Sequence, residues 1–249
     1  MKNKLVRILT LTICLGFITP AVQADSWWQK ATGIFSFFLG GSNDAEPGIK
    51  EISSAFKQAL EIGSQDVTKK LSAPNGFNQD PIVHIPLPEQ LEPVRNLLAK
   101  VGLSGPVDTL EMKLNSAAEA AAPQAGKLFK KVIAEMTFED VMAIYNGPPD
   151  SATQYFREKM SPELMKEMTP VVTDSLNKVG AIQSFNTVMD KYHSLPFAPQ
   201  VDSDLSGHVV DRSINGIFHY MAQEEQAIRE DPVRQTTALL KRVFGRRTP

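Results

Sequence analysis

One cysteine is present in the chain, and its setting rules out most cysteine chemistry. Cys14 lies inside the apolar run Ile8–Ile18, and Ile13 precedes it where a lipidated cysteine needs a small residue. A chain cut after that run has no thiol, hence no disulfide, no thiolate nucleophile and no cysteine metal site. Excess charge of one sign is also missing, since 26 Lys and Arg against 28 Asp and Glu leave a formal net charge of −2. That balance gives no case for holding a polyanionic backbone, and no nucleic-acid partner is expected. The four histidines, His84, His193, His208 and His219, include no i, i+4 pair, and no HExxH occurs. No metal site is expected from that spacing. Neither a G-x-S-x-G elbow nor a GK[ST] phosphate loop is present, and no cofactor is expected. The carboxylate pairs Glu139-Asp140 and Glu224-Glu225 are adjacent. On a helix such neighbours point about 100° apart, so they define no acid–base pair.

What is present begins with an address. Lys2, Lys4 and Arg7 precede the apolar run, Thr19-Pro20 breaks it, and Ala21-Val22-Gln23-Ala24 offers a small-residue cleavage site. The run is shorter than the roughly 20 residues that span a bilayer. Residues 1–24 therefore read as a signal peptide cleaved after Ala24, which places the mature chain in the periplasm. Residues 25–48 form an aromatic arm and linker, with Trp27, Trp28, Phe35, Phe37 and Phe38 close together. Rings at this density suit an interfacial membrane contact, an envelope protein partner, or docking on the chain's own core. The arm lacks a Lys/Arg-rich face, which favours docking.

The centre of the chain is Leu110–Met136, LEMKLNSAAEAAAPQAGKLFKKVIAEM. Leu110, Leu114, Ala117, Ala121, Leu128 and Val132 recur on one helix face, and alanines cover other sides, the pattern of a helix buried within a bundle. Pro123 predicts a kink or short break. Helical spacing also covers Ile49–Leu71, Pro88–Val101, Ala181–His193, Leu205–Glu230 and Val233–Phe244. Thr137-Phe138-Glu139-Asp140 resembles a capping box opening a short helix that stops at Asn146-Gly147-Pro148-Pro149. Asp150 is placed to cap a helix through Met160, and Ser161-Pro162-Glu163 to start another with a kink at Pro170. Pro81–Pro86 is β-branched and bounded by prolines, either an extended strap or one strand of a small hairpin. The expectation is all-α: a single irregular bundle of about eight helices over residues 49–245, no substantial sheet, and a tail at residues 246–249.

On Leu205–Glu230 an apolar face of Ile214, Phe218, Met221 and Ile228 also carries Glu225 and Arg229, one turn apart. A charge facing a core must be paired, because an unpaired buried ion costs several kcal/mol or more. Asn115, Glu119 and Arg157 from other helices are the candidate partners. The set Asn115, Glu119, Arg157, Glu225 and Arg229 is either a register-fixing network or the polar floor of a ligand pocket.

Three stretches, LNSAAEAA (Leu114–Ala121), GPPDSATQYFREK (Gly147–Lys159) and NGIFHYMAQEEQAIREDPVRQTTALLKRVFG (Asn215–Gly245), together resemble the bacterial DUF4197 family, a domain of unknown function in exported proteins. The resemblance covers Ile49–Gly245 and implies export and a helical domain, with no reaction, cofactor or substrate attached. It directs attention to Asn115, Glu119, Thr153, Tyr155, Arg157, Glu225, Arg229 and Pro232. The family pattern has Arg after the Asn of the first motif, where this chain has Ser116. The expected role is a non-catalytic periplasmic binding module for a small apolar or amphipathic molecule. The alternatives are an envelope interaction factor using the aromatic arm and, third, a carboxylate-dependent hydrolase.

Overall fold

The computed structural model describes residues 49–230, apart from residues 197, 199 and 202. The signal peptide, the aromatic arm (Trp27, Trp28, Phe35, Phe37, Phe38) and the helix expected at Val233–Phe244 lie outside the described residues. By contacts the chain divides into residues 1–41 and 42–249, and all described residues belong to the second unit.

The described residues form seven α-helices and no strand, an all-α bundle as the periodicity predicts. They are α1 (Ile49–Ser72), α2 (Glu92–Lys100), α3 (Ser104–Glu135), α4 (Phe138–Asn146), α5 (Ser151–Lys178), α6 (Ala181–His193) and α7 (Leu205–Glu230), with a 3-10 turn at Glu89–Leu91. At about 1.5 Å per residue α3 is the longest rod, and α1, α2, α5, α6 and α7 all pack on it. Its buried alanines, Ala117, Ala118, Ala121, Ala122 and Ala125, let those neighbours approach from several sides. Phe129 of α3 meets Phe156 of α5 and Phe218 of α7 edge-on, with ring centres 5.1 and 6.3 Å away, and these rings form the middle of the core.

The helix boundaries depart from the expectation at the prolines. α3 runs through Pro123, and α5 is one helix through Pro162 and Pro170 instead of two. All three prolines are exposed, so their rings meet solvent and not a neighbour. Ser161 and Thr169 each donate a hydroxyl to a carbonyl one turn back, Arg157 O and Met165 O, both at 2.6 Å. The buried stripe Phe156, Met160, Leu164, Met168, Val172, Leu176 keeps a four-residue step across both prolines. Each such side chain contributes about 1.5–3 kcal/mol on burial. An interior proline costs roughly 3 kcal/mol, so the stripe outweighs the two breaks.

α4 opens with the capping box read from the sequence: Asp140 N donates to Thr137 Oγ1, and Thr137 N donates to the Asp140 carboxylate. Between α1 and α2 the chain forms a strap, residues 74–88, that runs through turns at residues 74–79 and 81–83 and is neither helix nor strand over residues 84–88. Gly76 is required there, because a Cβ would lie within 3 Å of the carbonyl oxygens of Lys70, Leu71 and Ala73. The strap carries Phe77, Val83, Ile85 and Leu87 into the core, each almost fully buried. Neither reading of Pro81–Pro86 holds throughout: residues 81–83 form a turn whose Ile82 and Val83 amides donate to the Asp80 carboxylate, residues 84–86 are neither turn nor helix, and no strand among the described residues pairs with them.

Candidate functional site

The strap closes part of its backbone in turns, with Asp80 N donating to Phe77 O and His84 N to Asp80 O, and its remaining buried N–H and C=O groups need partners from elsewhere. α3 supplies them from one face at four-residue intervals. Glu111 accepts from Leu87 N at 3.0 Å. Asn115, fully buried, accepts from Ile85 N and donates to Ile85 O, both at 2.8 Å. Glu119 accepts from Phe77 N and Asn78 N at 3.3 and 3.4 Å. The Asn115 amide thus stands in for the edge of a neighbouring strand. Glu111 is the hub of this face, bonded also to His84 Nε2 at 3.0 Å and paired with Arg95. Burial pushes the Glu111 carboxyl up, but His84, the Leu87 amide and Arg95 outweigh it and hold the group below its ordinary range.

α7 closes the strap from the other side. His208 Nε2 lies 2.8 Å from Pro86 O, and the Tyr220 hydroxyl donates to Asp80. Lys70 pairs with Asp80 at 3.3 Å and sits 3.5 Å from the Tyr220 ring centre. Burial pushes the Asp80 carboxyl up, but the Tyr220 hydroxyl, the Ile82 and Val83 amides and Lys70 bring it down to about 2. A folded value below the unfolded one means that this lock is complete above about pH 4. It is lost as pH falls through about 2. An acid titration of the fold should therefore show a step in this window, and Asp80→Asn should remove that pH dependence. An unchanged acid profile in the variant would assign the step to other carboxylates. One helical turn along α7, Glu224 is held above its ordinary range by burial and by the negative charge of Asp66 on α1.

Glu225 occupies a second, separate place. It is 2 % exposed and reaches the start of α5, where it accepts from Ala152 N at 2.9 Å and from Thr153 N and Thr153 Oγ1 at 2.8 Å. The first amides of a helix have no partner inside it, and a carboxylate there also meets the positive end of the helix dipole. Asp150, expected to cap this helix, makes no capping bond. Its carboxylate accepts from Gln154 Nε2. Arg157 is exposed, donates to Asn215 Oδ1 at 3.3 Å and lies 4.7 Å from the Phe218 ring centre. The Arg229 side chain lies outside the described residues.

Of the five residues read as one network, the four whose side chains are described divide. Asn115 and Glu119 hold the strap, Glu225 holds the start of α5, and Arg157 lies on the surface. Glu111, Asp80, Tyr220 and His208 were not singled out from the sequence. The one available signal was the spacing Glu111, Asn115, Glu119, three polar residues at four-residue intervals on one face of α3. Two open grooves flank the outer face of α3. One of about 330 Å³ runs against α1 along Ser64, Thr68, Pro123, Gly126 and Lys130. The other, of about 260 Å³, runs against α5 along Lys127, Leu128, Lys131, Glu163 and Glu167. Among the described residues no group of three or more His, Asp or Glu side chains is placed to hold a metal ion. No helix among them is long and apolar enough to cross a membrane.

A family model described as "Protein of unknown function (DUF4197)" matches residues 47–245, four-fifths of the chain. The chain belongs to the DUF4197 family. No curated protein and no solved structure matches it. The DUF4197 span takes in both polar constructions just described. The first resembling stretch supplies Asn115 and Glu119 to the strap, the second supplies the α5 amides, and the third supplies Tyr220 and Glu225. Ser116 turns back on its own helix and donates to Met112 O at 3.1 Å.

Proposed function

We propose that this DUF4197 protein is an exported, non-catalytic envelope protein that works through its surface, as an interaction factor. One observation carries this reading: the buried polar side chains Asn115 and Glu225 are engaged with the chain's own backbone, as is the half-buried Glu119. Groups spent in this way hold the fold and are not held ready for a ligand. The signal-peptide pattern of residues 1–24 supports export, and the ring-dense arm at Trp27–Phe38, whose composition favours docking on the core, is the segment whose deletion tests for an outside partner.

Binding of a small amphipathic molecule is the second reading, favoured by the open groove between α1 and α3. Native mass spectrometry of the protein expressed with residues 1–24 and purified gently from periplasm separates the two. A clean apo mass, with partner capture that is lost on deleting residues 26–41, is the expected result. A stoichiometric co-purifying metabolite or lipid would overturn it and make the groove the site. A full-length mass, with residues 1–24 retained, would overturn the cleavage.

A further inference from the structure

Asparagine followed by glycine occurs three times in the chain, at Asn75-Gly76, Asn146-Gly147 and Asn215-Gly216. The pair is chemically labile, because glycine has no Cβ to screen its amide nitrogen from the asparagine side chain before it. That nitrogen can attack Asn Cγ, close a cyclic imide and expel the side-chain nitrogen as ammonia. The fold treats the three pairs differently.

Asn215 lies in the middle of α7, where a side chain leans back towards the helix N-terminus and away from the next amide. Both ends of its side-chain amide are engaged, Oδ1 by Arg157 at 3.3 Å and Nδ2 by Asp211 at 3.2 Å. Asn146 is the last residue of α4 and leans the same way, while Gly147 N donates to Ile144 O at 3.2 Å.

Asn75 belongs to no helix. It is exposed, and among the described residues it is the one non-glycine with a left-handed backbone, at φ 64°. Its Oδ1 accepts from Asn78 Nδ2 at 3.1 Å, which draws charge from Cγ and makes that carbon a better target. Gly76 N donates to Ala73 O at 2.8 Å, so attack waits for this bond to open. Residues 73–75 are all exposed, and an exposed turn opens locally at little cost.

We propose that Asn75 is a site of spontaneous deamidation, and that its isoaspartyl product releases the Glu119 end of the strap from α3. In the first step the bond between Gly76 N and Asn75 Cγ forms, the Asn75 Cγ–Nδ2 bond breaks, and the Gly76 hydrogen leaves with the ammonia. Water then opens the imide. Attack at Cγ leaves an ordinary chain with aspartate at position 75. Attack at the main-chain carbonyl leaves Gly76 joined through Cγ, which adds one methylene to the backbone. The turn is too tight for it: even a Cβ on Gly76 would lie within 3 Å of the carbonyl oxygens of Lys70, Leu71 and Ala73. Phe77 follows, fully buried, and Glu119 holds its amide and that of Asn78. Lengthening the chain just before them draws both amides away from Glu119. Only water is consumed, so this chemistry is independent of what the surface binds.

The test is incubation of the purified protein in mildly alkaline buffer, native and in urea, followed by peptide mass spectrometry with fragmentation that separates aspartate from isoaspartate. In urea the three pairs should convert alike. In the folded protein Asn75 should gain one dalton about tenfold faster than Asn146 or Asn215. The converted fraction, isolated by its extra negative charge, should show exchange at the Phe77 and Asn78 amides raised about tenfold, with the centre of α5 unchanged. Asn75→Gly removes the side-chain amide and suits the left-handed backbone, so it should abolish conversion here and leave exchange as in wild type. Asn75→Asp carries the charge without the methylene and should also keep the strap closed. Conversion at Asn75 no faster than at the helical pairs, or the same ranking in urea, would overturn the site. Unchanged exchange in the converted protein, or a strap equally open in Asn75→Asp, would overturn release by the lengthened backbone. The ranking of the three sites is read on the wild-type protein, so it stands as a test even if a variant misfolds.

Discussion

Asn115→Leu should be the most damaging single substitution in the described protein, lowering stability by about 2–6 kcal/mol. Leucine has asparagine's branching, but its methyl groups cannot sit 2.8 Å from a backbone N and O, so crowding adds to the lost bonds. What is lost is the pair of 2.8 Å bonds to the N–H and C=O of Ile85, at a residue with no measurable exposure. A buried donor or acceptor left unpaired costs about 1–3 kcal/mol, and this change strands one of each. Asn115 Nδ2 also donates to Glu111 O, but that carbonyl belongs to a helix and keeps its ladder partner. Urea unfolding of the wild type and variant measures the effect. Hydrogen exchange at Ile85 should rise towards that of a surface amide while the centre of α5 stays protected. A loss under about 1 kcal/mol would mean that water reaches the strap and replaces the amide.

Glu225→Ala should come second, at about 3–5 kcal/mol, because it strands buried donors that cost about 1–3 kcal/mol each when unpaired. Three donors at the start of α5 lose their acceptor together, and the first turn of that helix should fray. Glu225→Gln keeps an oxygen but gives up the charge and its interaction with the helix dipole, and should cost about 1–2 kcal/mol. Exchange at Ala152 and Thr153 reports the fraying directly. A variant that unfolds like wild type yet fails to retain a co-purifying molecule would reverse the assignment and return Glu225 to a ligand-binding role.

Local signals carried the reading of the fold. The Thr137–Asp140 capping box and the alanine-rich α3 could be read from a few consecutive residues, because each is settled within one or two turns of helix. The prolines of α3 and α5 misled for the same reason. Their cost is local, whereas the stripe from Phe156 to Leu176 that outweighs it is a property of the whole assembled helix. Of the polar residues read as one set, Asn115 and Glu119 hold the strap while Glu225 holds the start of α5. Glu225 faces inward by periodicity, and nothing near it in sequence announces that its partners are Ala152 and Thr153, 73 and 72 positions away. Asp150 occupied the textual position of a cap, so the distant one was not sought. The strap has no period at all, and its partners are written on two helices far apart.

The strap's two sides differ in how far along the chain they reach. The bonds to α3 join residues 24 to 42 positions apart, whereas those to α7 span 122 and 140. Closing the shorter loops costs less entropy, so the α3 side can form early and the α7 side only late. A chain that crosses a membrane or leaves a ribosome from its N-terminus has α1, the strap and α3 in hand well before α7 arrives. During that interval Phe77 and Val83, which α7 covers at Gly216, face water. The half-built protein is thus at its most adhesive just before its last described helix is delivered, the stage at which a chaperone would have something to hold.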